Sequence, residues 1–411
     1  MPKVRTEKQK LPGALDGIRI VEYGVFHAGP GGNAILGDLG AEIIKIETLN
    51  GDPERYWTKI AGRDFSLKNN ESVIFDASNR NKKSVCLDIK QKKGREIFDR
   101  LIAGADVFLT NLRKSTKARM GLDYESISKL NPDIVYASVS GYGTEGPMDD
   151  LGAFDPLGSA RSGMMFLLGN KEPQLLHIGI LDQATAITVS HAILTALLDR
   201  ERRGVGQEVH ISLYSTALWL QYLNLIIASV LSKDPDISGD RIKHSPLRNR
   251  FCCKDGKWIF CTHHPEEKYW ATFCKATGQA ALLEDPRYTT ESGKPVNFTE
   301  LNQIFDRVFK TKTADEWMDI FVPLGLLFCS VQNIMEVMTD PQALANNFIV
   351  PFEHPLQGKV KIPGYPVDFS ASSAGTKSSA PQLGQHTDAI MNELGFSKKD
   401  IERLRKEKVL K

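Results

Sequence analysis

Long apolar runs and an excess of one charge are both missing from this sequence. No apolar segment approaches the roughly 20 residues that a membrane-spanning helix needs, because the most apolar stretch, residues 218–231, contains Gln221, Asn224 and Ser229. The 52 Lys and Arg residues face 50 Asp and Glu residues, which leaves a formal net charge of +2. This balance gives no general attraction to nucleic acid. We therefore expect neither a membrane nor a nucleic-acid partner.

Cysteine is also scarce, with six residues in 411. Two of them, Cys252 and Cys253, are adjacent, so the set does not indicate a disulfide framework. The basic first ten residues are not followed by an apolar segment, which is unlike a secretory signal peptide. These features predict a reduced, cytoplasmic protein.

Several motifs of catalysis and metal binding are absent as well. The sequence has no H-E-x-x-H, no G-x-S-x-G and no Walker A loop. Metal-binding side chains cluster only around Cys252, Cys253, Cys261 and the His263–His264 pair. Adjacent cysteines on a strand point to opposite faces, so this group has poor geometry for zinc. We predict no metal site.

What the sequence does contain is a regular alternation of strand and helix patterns, which predicts an α/β fold around a mostly parallel sheet. Strands are predicted at residues 18–22, 42–47, 105–109, 134–138 and 208–213, and helices at 33–39, 94–102, 124–130 and 182–203. A second long helix is expected to run on to residue 231. The length favours two domains. Changes in residue composition and in the helix and strand patterns place a small domain at residues 234–328, inserted in a large one made of residues 1–233 and 329–411.

The segment Gly29-Pro30-Gly31-Gly32-Asn33-Ala34 fits the dinucleotide fingerprint G-x-G-x-x-G/A. It follows a predicted strand, precedes a helix, and has the acidic Glu47 at the end of the next strand. Pro30 between the first two glycines weakens the match. The alternative is a strand-to-helix turn whose glycines allow close packing.

An acidic residue, Asp182, stands at the start of the longest predicted helix. The simplest interpretation is a helix N-cap. A carboxylate at that position also lies near the positive end of the helix dipole, which favours its ionised form. An ionised and accessible carboxylate can act as a covalent nucleophile. From the residues alone both roles stay open.

Taken together, the motifs resemble the class III CoA-transferases, the formyl-CoA and carnitine CoA-transferase family. Each motif is short, but their order and spacing extend over nearly the whole chain. The matching segments are LDGIRIV at 15–21, AGP at 28–30, GDLGAEIIKIE at 37–47, NKKS at 81–84, RMGL at 119–122, SVSGYG at 138–143 and GQHTD at 384–388.

The resemblance implies a fold, an assembly and a reaction. Its fold is a Rossmann-like large domain built from both chain ends with an inserted small α+β domain, and its assembly is an interlocked homodimer. Its catalytic aspartate falls on Asp182, which would carry CoA from an acyl-CoA to a free carboxylic acid through mixed anhydrides and an aspartyl-CoA thioester. Coenzyme A enters as a substrate, and no metal is needed.

The resemblance also implies a set of CoA contacts. Lys90, Arg113 and Arg119 are suited to the phosphates, since charge-assisted hydrogen bonds to phosphate are strong. The loop from Ser140 to Gly143 would approach the acyl end. The positions that match family contacts are His27, Ala28, Leu87, Lys90, Asn111, Leu112, Arg113, Arg119, Met120, Ser140, Gly141, Tyr142 and Gly143.

Alternatives remain within the family and outside it. The α-methylacyl-CoA racemases carry a His-Asp pair where this chain has Phe154-Asp155, and a phenylalanine cannot exchange a proton. A subunit of a hetero-oligomer is a further alternative. Outside the family, the glycine-rich segment leaves an NAD-dependent oxidoreductase as the competing interpretation. The apolar residues Phe154, Met164, Met165 and Phe166 favour a bulky or aromatic acyl group.

Overall fold

The computed structural model describes residues 11–167, 172–175, 179–234 and 240–411, and these divide into two compact units. The first comprises the described residues of 11–166, 172–234 and 347–411, so it is built from both chain ends. The second comprises Leu167 and residues 240–346.

The first unit is a mixed α/β fold around a six-stranded sheet in which all neighbours are parallel. Its strands are β1 (Arg19–Glu22), β2 (Glu42–Glu47), β5 (Lys82–Cys86), β6 (Val107–Thr110), β7 (Val135–Ser140) and β8 (Gln207–Ser212). They lie in the order β5-β2-β1-β6-β7-β8. Two short antiparallel ribbons lie outside this sheet: β3 (Lys59–Ile60) pairs with β4 (Arg63–Asp64), and β12 (Ile349–His354) pairs with β13 (Gly358–Pro363).

The helices of this unit connect the strands and cover the sheet. They are α1 (Ala28–Asp38), α2 (Val73–Asn79), α3 (Lys92–Ala103), α4 (Lys114–Met120), α5 (Tyr124–Leu130), α6 (Asp155–Arg161), α7 (Ile180–Arg203), α8 (Leu213–Leu220), α9 (Tyr222–Leu231), α15 (Thr387–Glu393) and α16 (Lys398–Lys406). The apolar faces of α3, α5, α15 and α16 pack on β1, β2, β5, β6 and β7 in one core.

The second unit has its own sheet and its own core. Its strands β9 (Arg248–Cys252), β10 (Trp258–Thr262) and β11 (Phe328–Val331) form an antiparallel sheet in the order β11-β10-β9. The helices are α10 (Glu266–Ala276), α11 (Phe298–Phe309), α12 (Ala314–Phe321), α13 (Ile334–Val337) and α14 (Pro341–Ala345). Stacked aromatic rings, such as Phe273 with Phe328, fill the core.

Two sequence expectations are corrected here. The return to the large domain was expected at residue 329, but β11 pairs with β10, and the second unit continues to Asn346. The other limit, expected near 234, adjoins residues 235–239, which lie outside the described part. The long helix expected up to residue 231 is two helices, α8 and α9, bent by 70° at Gln221.

Helix α7 is long and apolar enough, by length and composition alone, to cross a membrane, and so is the α8–α9 pair if counted as one span. Core helices of globular domains meet the same criterion. Within the described residues α7 packs on α1 and buries Leu181, Ala186, Val189 and Ile193, which is typical of a core helix.

Charged side chains are buried where α1 meets the sheet. Glu22 at the end of β1 forms ion pairs with Lys45 and Lys82, each at 2.9 Å, and Lys45 forms another with Asp52 at 2.9 Å. All four side chains are almost completely buried. Although burial alone would raise it, the two ammonium groups hold the pKa of Glu22 at about 2. Lys82 also donates to the carbonyl of Pro30 at 2.8 Å, which ties the first turn of α1 to the sheet.

Replacing Glu22 tests this buried network. The change Glu22→Gln removes the negative charge between two buried lysines, so we expect the free energy of unfolding to fall by about 3–5 kcal/mol. Urea denaturation measures it. The control is Glu125→Gln, which breaks the exposed pair Lys129–Glu125 and should leave the unfolding midpoint unchanged. An equally small effect of both substitutions would contradict the prediction.

Candidate active site

The start of α7 is capped from another helix. Gly179, in the left-handed conformation with φ 58°, precedes the first helical residue. Asp155, at the start of α6, accepts hydrogen bonds from the backbone N–H of Leu181 at 2.7 Å and of Asp182 at 3.1 Å. The first amides of a helix lack partners within the helix. The carboxylate of Asp155 therefore does the work of a side-chain N-cap.

Asp182 consequently keeps its own carboxylate free. It is the third residue of α7 and not the cap, so of the two roles that the sequence left open the capping role belongs to Asp155. Among the residues that the structure describes, none donates a hydrogen bond to the Asp182 side chain. Burial, and next the negative charge of Asp155, raise the pKa of Asp182 to about 7. A desolvated carboxylate without partners is a reactive one.

His27 and Gln183 meet beside Asp182. The Nε2 atom of His27 lies 3.0 Å from Oε1 of Gln183, the residue that follows Asp182 on α7. Burial, more than any other cause, lowers the pKa of His27. Since the amide oxygen can only accept, Nε2 carries the proton and Nδ1 is left as a buried acceptor, for which no partner exists among the described residues.

The glycine-rich segment packs helices together instead of forming a phosphate loop. Helix α1 already begins at Ala28, so Gly29 to Gly32 lie inside it. A Cβ atom on Gly32 would lie 2.4 Å from Cγ1 of Val189 on α7, and one on Gly31 would lie 3.1 Å from Ala186. The glycines thus let α1 and α7 touch, which agrees with the close-packing interpretation and not with the dinucleotide fingerprint.

A cleft of 1060 Å³ in the first unit brings many of the predicted residues together. It runs along the carboxyl ends of β6 and β7 and the start of α4, where ligands of open parallel sheets usually bind. Phe26, Leu151, Phe154 and Leu157 also line it. The predicted residues on its walls are Ala28, Asn111, Leu112, Arg113, Ser140, Gly141 and Gly143.

The other predicted contacts lie elsewhere or act differently. Leu87 is completely buried in the core, so only its main chain could reach a ligand. Met120 packs against the same core. Lys90 and Arg119 are exposed, and Tyr142 is partly exposed. These four and Leu87 do not line the cleft within the described residues.

Asn111 is committed to the main chain. Its Oδ1 accepts from the N–H of Val25 at 2.9 Å, and its Nδ2 donates to the carbonyl of Val25 at 2.6 Å. The side chain thereby fixes the loop between β1 and α1. Any contact between Asn111 and a ligand comes in addition to this structural role.

Sequence reasoning missed three features of this region. Asp155 was noticed only as half of the Phe154-Asp155 pair. Its capping contacts are with Leu181 and Asp182, which follow it by 26 and 27 positions in the chain. Phe26 and Trp57 form a ring cluster with Phe154. Burial raises the pKa of Glu54 to about 7, and the charge of Asp182 contributes. Phe154 was noted in the sequence as an apolar residue, but no local pattern links it to Phe26 and Trp57 or reveals the roles of Asp155 and Glu54, because each acts through a partner far away in the chain.

The cysteine and histidine cluster of the second unit is structural. His263 donates from Nδ1 to the carbonyl of Leu247 at 3.1 Å and accepts at Nε2 from the N–H of Leu327 at 2.9 Å, so both ring nitrogens are used. Burial raises the pKa of both Cys253 and Cys261 to about 12. Across residues 11–167, 172–175, 179–234 and 240–411, no group of three metal-binding side chains converges.

The free carboxylate of Asp182 can be tested by titration. Infrared difference spectra between the native protein and Asp182→Asn should show a carboxyl group that ionises near pH 7. In an Asp155→Asn background the midpoint should fall, because a negative charge beside Asp182 is removed. Glu54→Gln is the control, since Glu54 also titrates near pH 7 and its loss should preserve the Asp182 step. A native midpoint near pH 4 would contradict the assignment.

Comparisons with known proteins agree with this geometry. The family model described as CoA-transferase family III matches residues 15–387. An acyl-CoA transferase of Fusarium pseudograminearum is 34% identical over 97% of this chain and 88% of its own. The (R)-2-hydroxy-4-methylpentanoate CoA-transferase of Clostridioides difficile is 30% identical over 97% and 99%.

The fold has a matching precedent as well. The crystal structure of a CAIB/BAIF family protein from Brucella suis superposes with a TM-score of 0.82 at 27% identity, covering 93% of this chain and 100% of that one. A match of the family model over most of the chain, joined to relatives at 30% identity or more over nearly its full length, establishes that this protein belongs to CoA-transferase family III.

Proposed function

We propose that the protein transfers coenzyme A reversibly from an acyl-CoA donor to a free carboxylic acid, with Asp182 as the covalent nucleophile. The observation that supports this proposal is that Asp155 caps the start of α7 and leaves the Asp182 carboxylate free. A nucleophile must be ionised and accessible, and Asp182 is partly exposed.

The exchange runs through four substitutions at carbonyl carbons. The Asp182 carboxylate attacks the thioester carbon of the donor, the C–S bond breaks, and a mixed anhydride and CoA thiolate result. The thiolate attacks the Asp182 carbonyl carbon, which releases the donor acid and leaves an aspartyl-CoA thioester. The incoming carboxylate then displaces the thiolate, and the thiolate attacks the new acyl carbon and frees Asp182. No net proton transfer is needed. Because only the ionised carboxylate attacks, activity should rise with pH as Asp182 ionises near pH 7.

The 1060 Å³ cleft is the proposed site for coenzyme A. Arg113 lines this cleft and would neutralise a phosphate there. Lys90 and Arg119 lie outside its walls, so they would contact only phosphates that extend beyond it. The guanidinium of Arg113 packs closely on Gly152. A Cβ atom added to Gly152 would lie 2.6 Å from Nη2 of Arg113. The acyl end would lie by the Ser140–Gly143 loop and by His27 and Ala28, whose helix carries the residues that pack on α7.

We also propose that the active form is a homodimer of the interlocked type implied by the family resemblance. Helix α9 has no buried residue within the first unit, although seven of its ten residues are Leu, Ile, Val or Tyr. A continuous apolar face of this kind normally marks an interface. A second copy of this chain would cover it.

Charge placed on α9 tests the assembly. Leu223→Asp and Val230→Asp alter two strongly exposed apolar side chains, and burying a charge in an apolar contact is unfavourable. We expect both variants to shift the native dimer towards monomer in sedimentation analysis. The control Val205→Asp, exposed in the turn after α7, should keep the native mass. Native protein that sediments as a monomer would refute the homodimer.

The reaction itself is tested by trapping the covalent intermediate. Incubation with a panel of acyl-CoA donors and acids should give ping-pong kinetics and a CoA adduct on Asp182 in the mass spectrum. Asp182→Ala should lose the adduct and at least about a thousandfold of activity. Asp199→Ala, further along the same helix, is the matched control and should retain both.

Other outcomes discriminate between the alternatives. Full transferase activity in Asp182→Ala would refute the mechanism. Exchange of the α-proton without CoA transfer would favour racemase chemistry. Activity that appears only after addition of a related chain would favour a hetero-oligomer.

A further inference from the structure

The rings of Phe26, Trp57 and Phe154 form an aromatic cluster in the first unit. The centroids of Phe26 and Phe154 lie 5.0 Å apart, those of Phe26 and Trp57 5.7 Å, and those of Trp57 and Phe154 5.9 Å. Phe26 meets both partners edge to face, at 89° and 84°. The cluster is not sealed in a core, since 47% of Phe154 and 39% of Trp57 are exposed.

The backbone of Phe26 is held in an unfavourable conformation. Its φ of +61° is in the left-handed region, where a bulky side chain is rare. Neighbouring groups enforce it, because Asn111 holds Val25 by two hydrogen bonds and Asp52 accepts from the N–H of Phe26 at 3.3 Å. Strain of this kind is typical of functional sites, where the surrounding structure compensates for it.

The chain connects this cluster directly to the nucleophile. Phe26 precedes His27, which contacts Gln183, and Phe154 precedes Asp155, which binds the N–H of Asp182. Phe26 and Phe154 also line the proposed CoA cleft, together with Leu151 and Leu157. An acyl group attached to Asp182 would therefore lie next to aromatic and aliphatic side chains.

We propose that Phe26, Trp57 and Phe154 select the acyl group, and that the exchanged acid is a monocarboxylic acid with an aromatic or branched apolar group. This inference rests on the proposed CoA transfer and names its substrate class. Aromatic rings pack favourably edge to face with an aromatic guest. A second carboxylate packed against the same rings would lose part of its hydration, because an aromatic ring face offers no hydrogen-bond donor.

A competition experiment tests the selection. The native protein is given an equimolar mixture of ¹³C-labelled 3-phenylpropionate, acetate and succinate. One of the three corresponding unlabelled CoA thioesters is added as donor in each reaction, and the labelled thioesters are counted by mass spectrometry. We expect 3-phenylpropionyl-CoA to form at least about tenfold faster than the other two products. Phe154→Ala and Phe26→Gly should each lower that ratio by about tenfold.

The variants separate selection from folding. Glycine adopts a positive φ without strain, so Phe26→Gly should keep a thermal midpoint close to the native one while losing selectivity. Val205→Ala, an exposed apolar residue beyond the other end of α7, should leave the ratio unchanged. Equal loss of rate for all three acids, or an unchanged ratio in both ring variants, would overturn the inference.

The competition also distinguishes this inference from the function on which it rests. Native protein that prefers succinate or acetate still transfers CoA, and it would overturn the acyl selection alone. Native protein that forms no labelled thioester from any acid, while CoA adducts are also absent, would overturn both.

Discussion

The candidate active site depends on the contact between Asp155 and the first amides of α7, because this contact leaves the Asp182 carboxylate without a capping role. A helix start needs acceptors for its free N–H groups, and here a carboxylate from α6 supplies them. Asp182 is thereby released from capping and remains partly desolvated beside another negative charge, which raises its pKa. A single contact between two helices thus leaves the carboxylate of the proposed nucleophile without a capping role, and the charge of Asp155 adds to the effect of burial on its pKa.

A second constraint keeps that helix in place. Helix α1 packs on α7 through Gly31 and Gly32, where a larger side chain would collide with Ala186 or Val189. The first turn of α1 is tied to the sheet through Lys82, which pairs with Glu22 and bonds to Pro30. Buried ion pairs add little stability compared with apolar replacements, but losing one partner is costly. Through the bond from Lys82 to Pro30, these ion pairs tie the first turn of α1 to the strand ends.

The elements read correctly from sequence are those with a strong local pattern. The strands at 42–47 and the helix at 124–130 follow the apolar spacing, and the structure has the same bounds. Strand β5 has no such pattern, because Lys82 and Lys83 open it and find their partners only in the folded protein. The break at Gln221 was missed for a similar reason, since its side chain bonds to the carbonyls of Ser162 and Ala217.

For the site, the family motifs already indicated Asp182 and the segments around Asn111 and Ser140. The two segments meet in the cleft at the carboxyl edge of the sheet, and Asp182 lies at the start of α7, where Asp155 accepts from its N–H. Motifs do not distinguish a side chain that faces a ligand from one that supports the backbone. For this reason the sequence did not reveal that Leu87 lies in the core or that Asn111 forms two hydrogen bonds with the main chain of Val25. The aromatic cluster joins residues from three separate loops and has no signature in the order of the chain.

The sequence by itself determined the α/β class, the family and the place of Asp182 at the start of a long helix, because apolar periodicity and motif order are local properties of the chain. Only the tertiary structure decided that Asp155 caps this helix, that the glycine-rich segment packs helices, and that the insert ends at Asn346. These outcomes depend on contacts between distant residues, and on how burial changes the charge and reactivity of the groups that meet there.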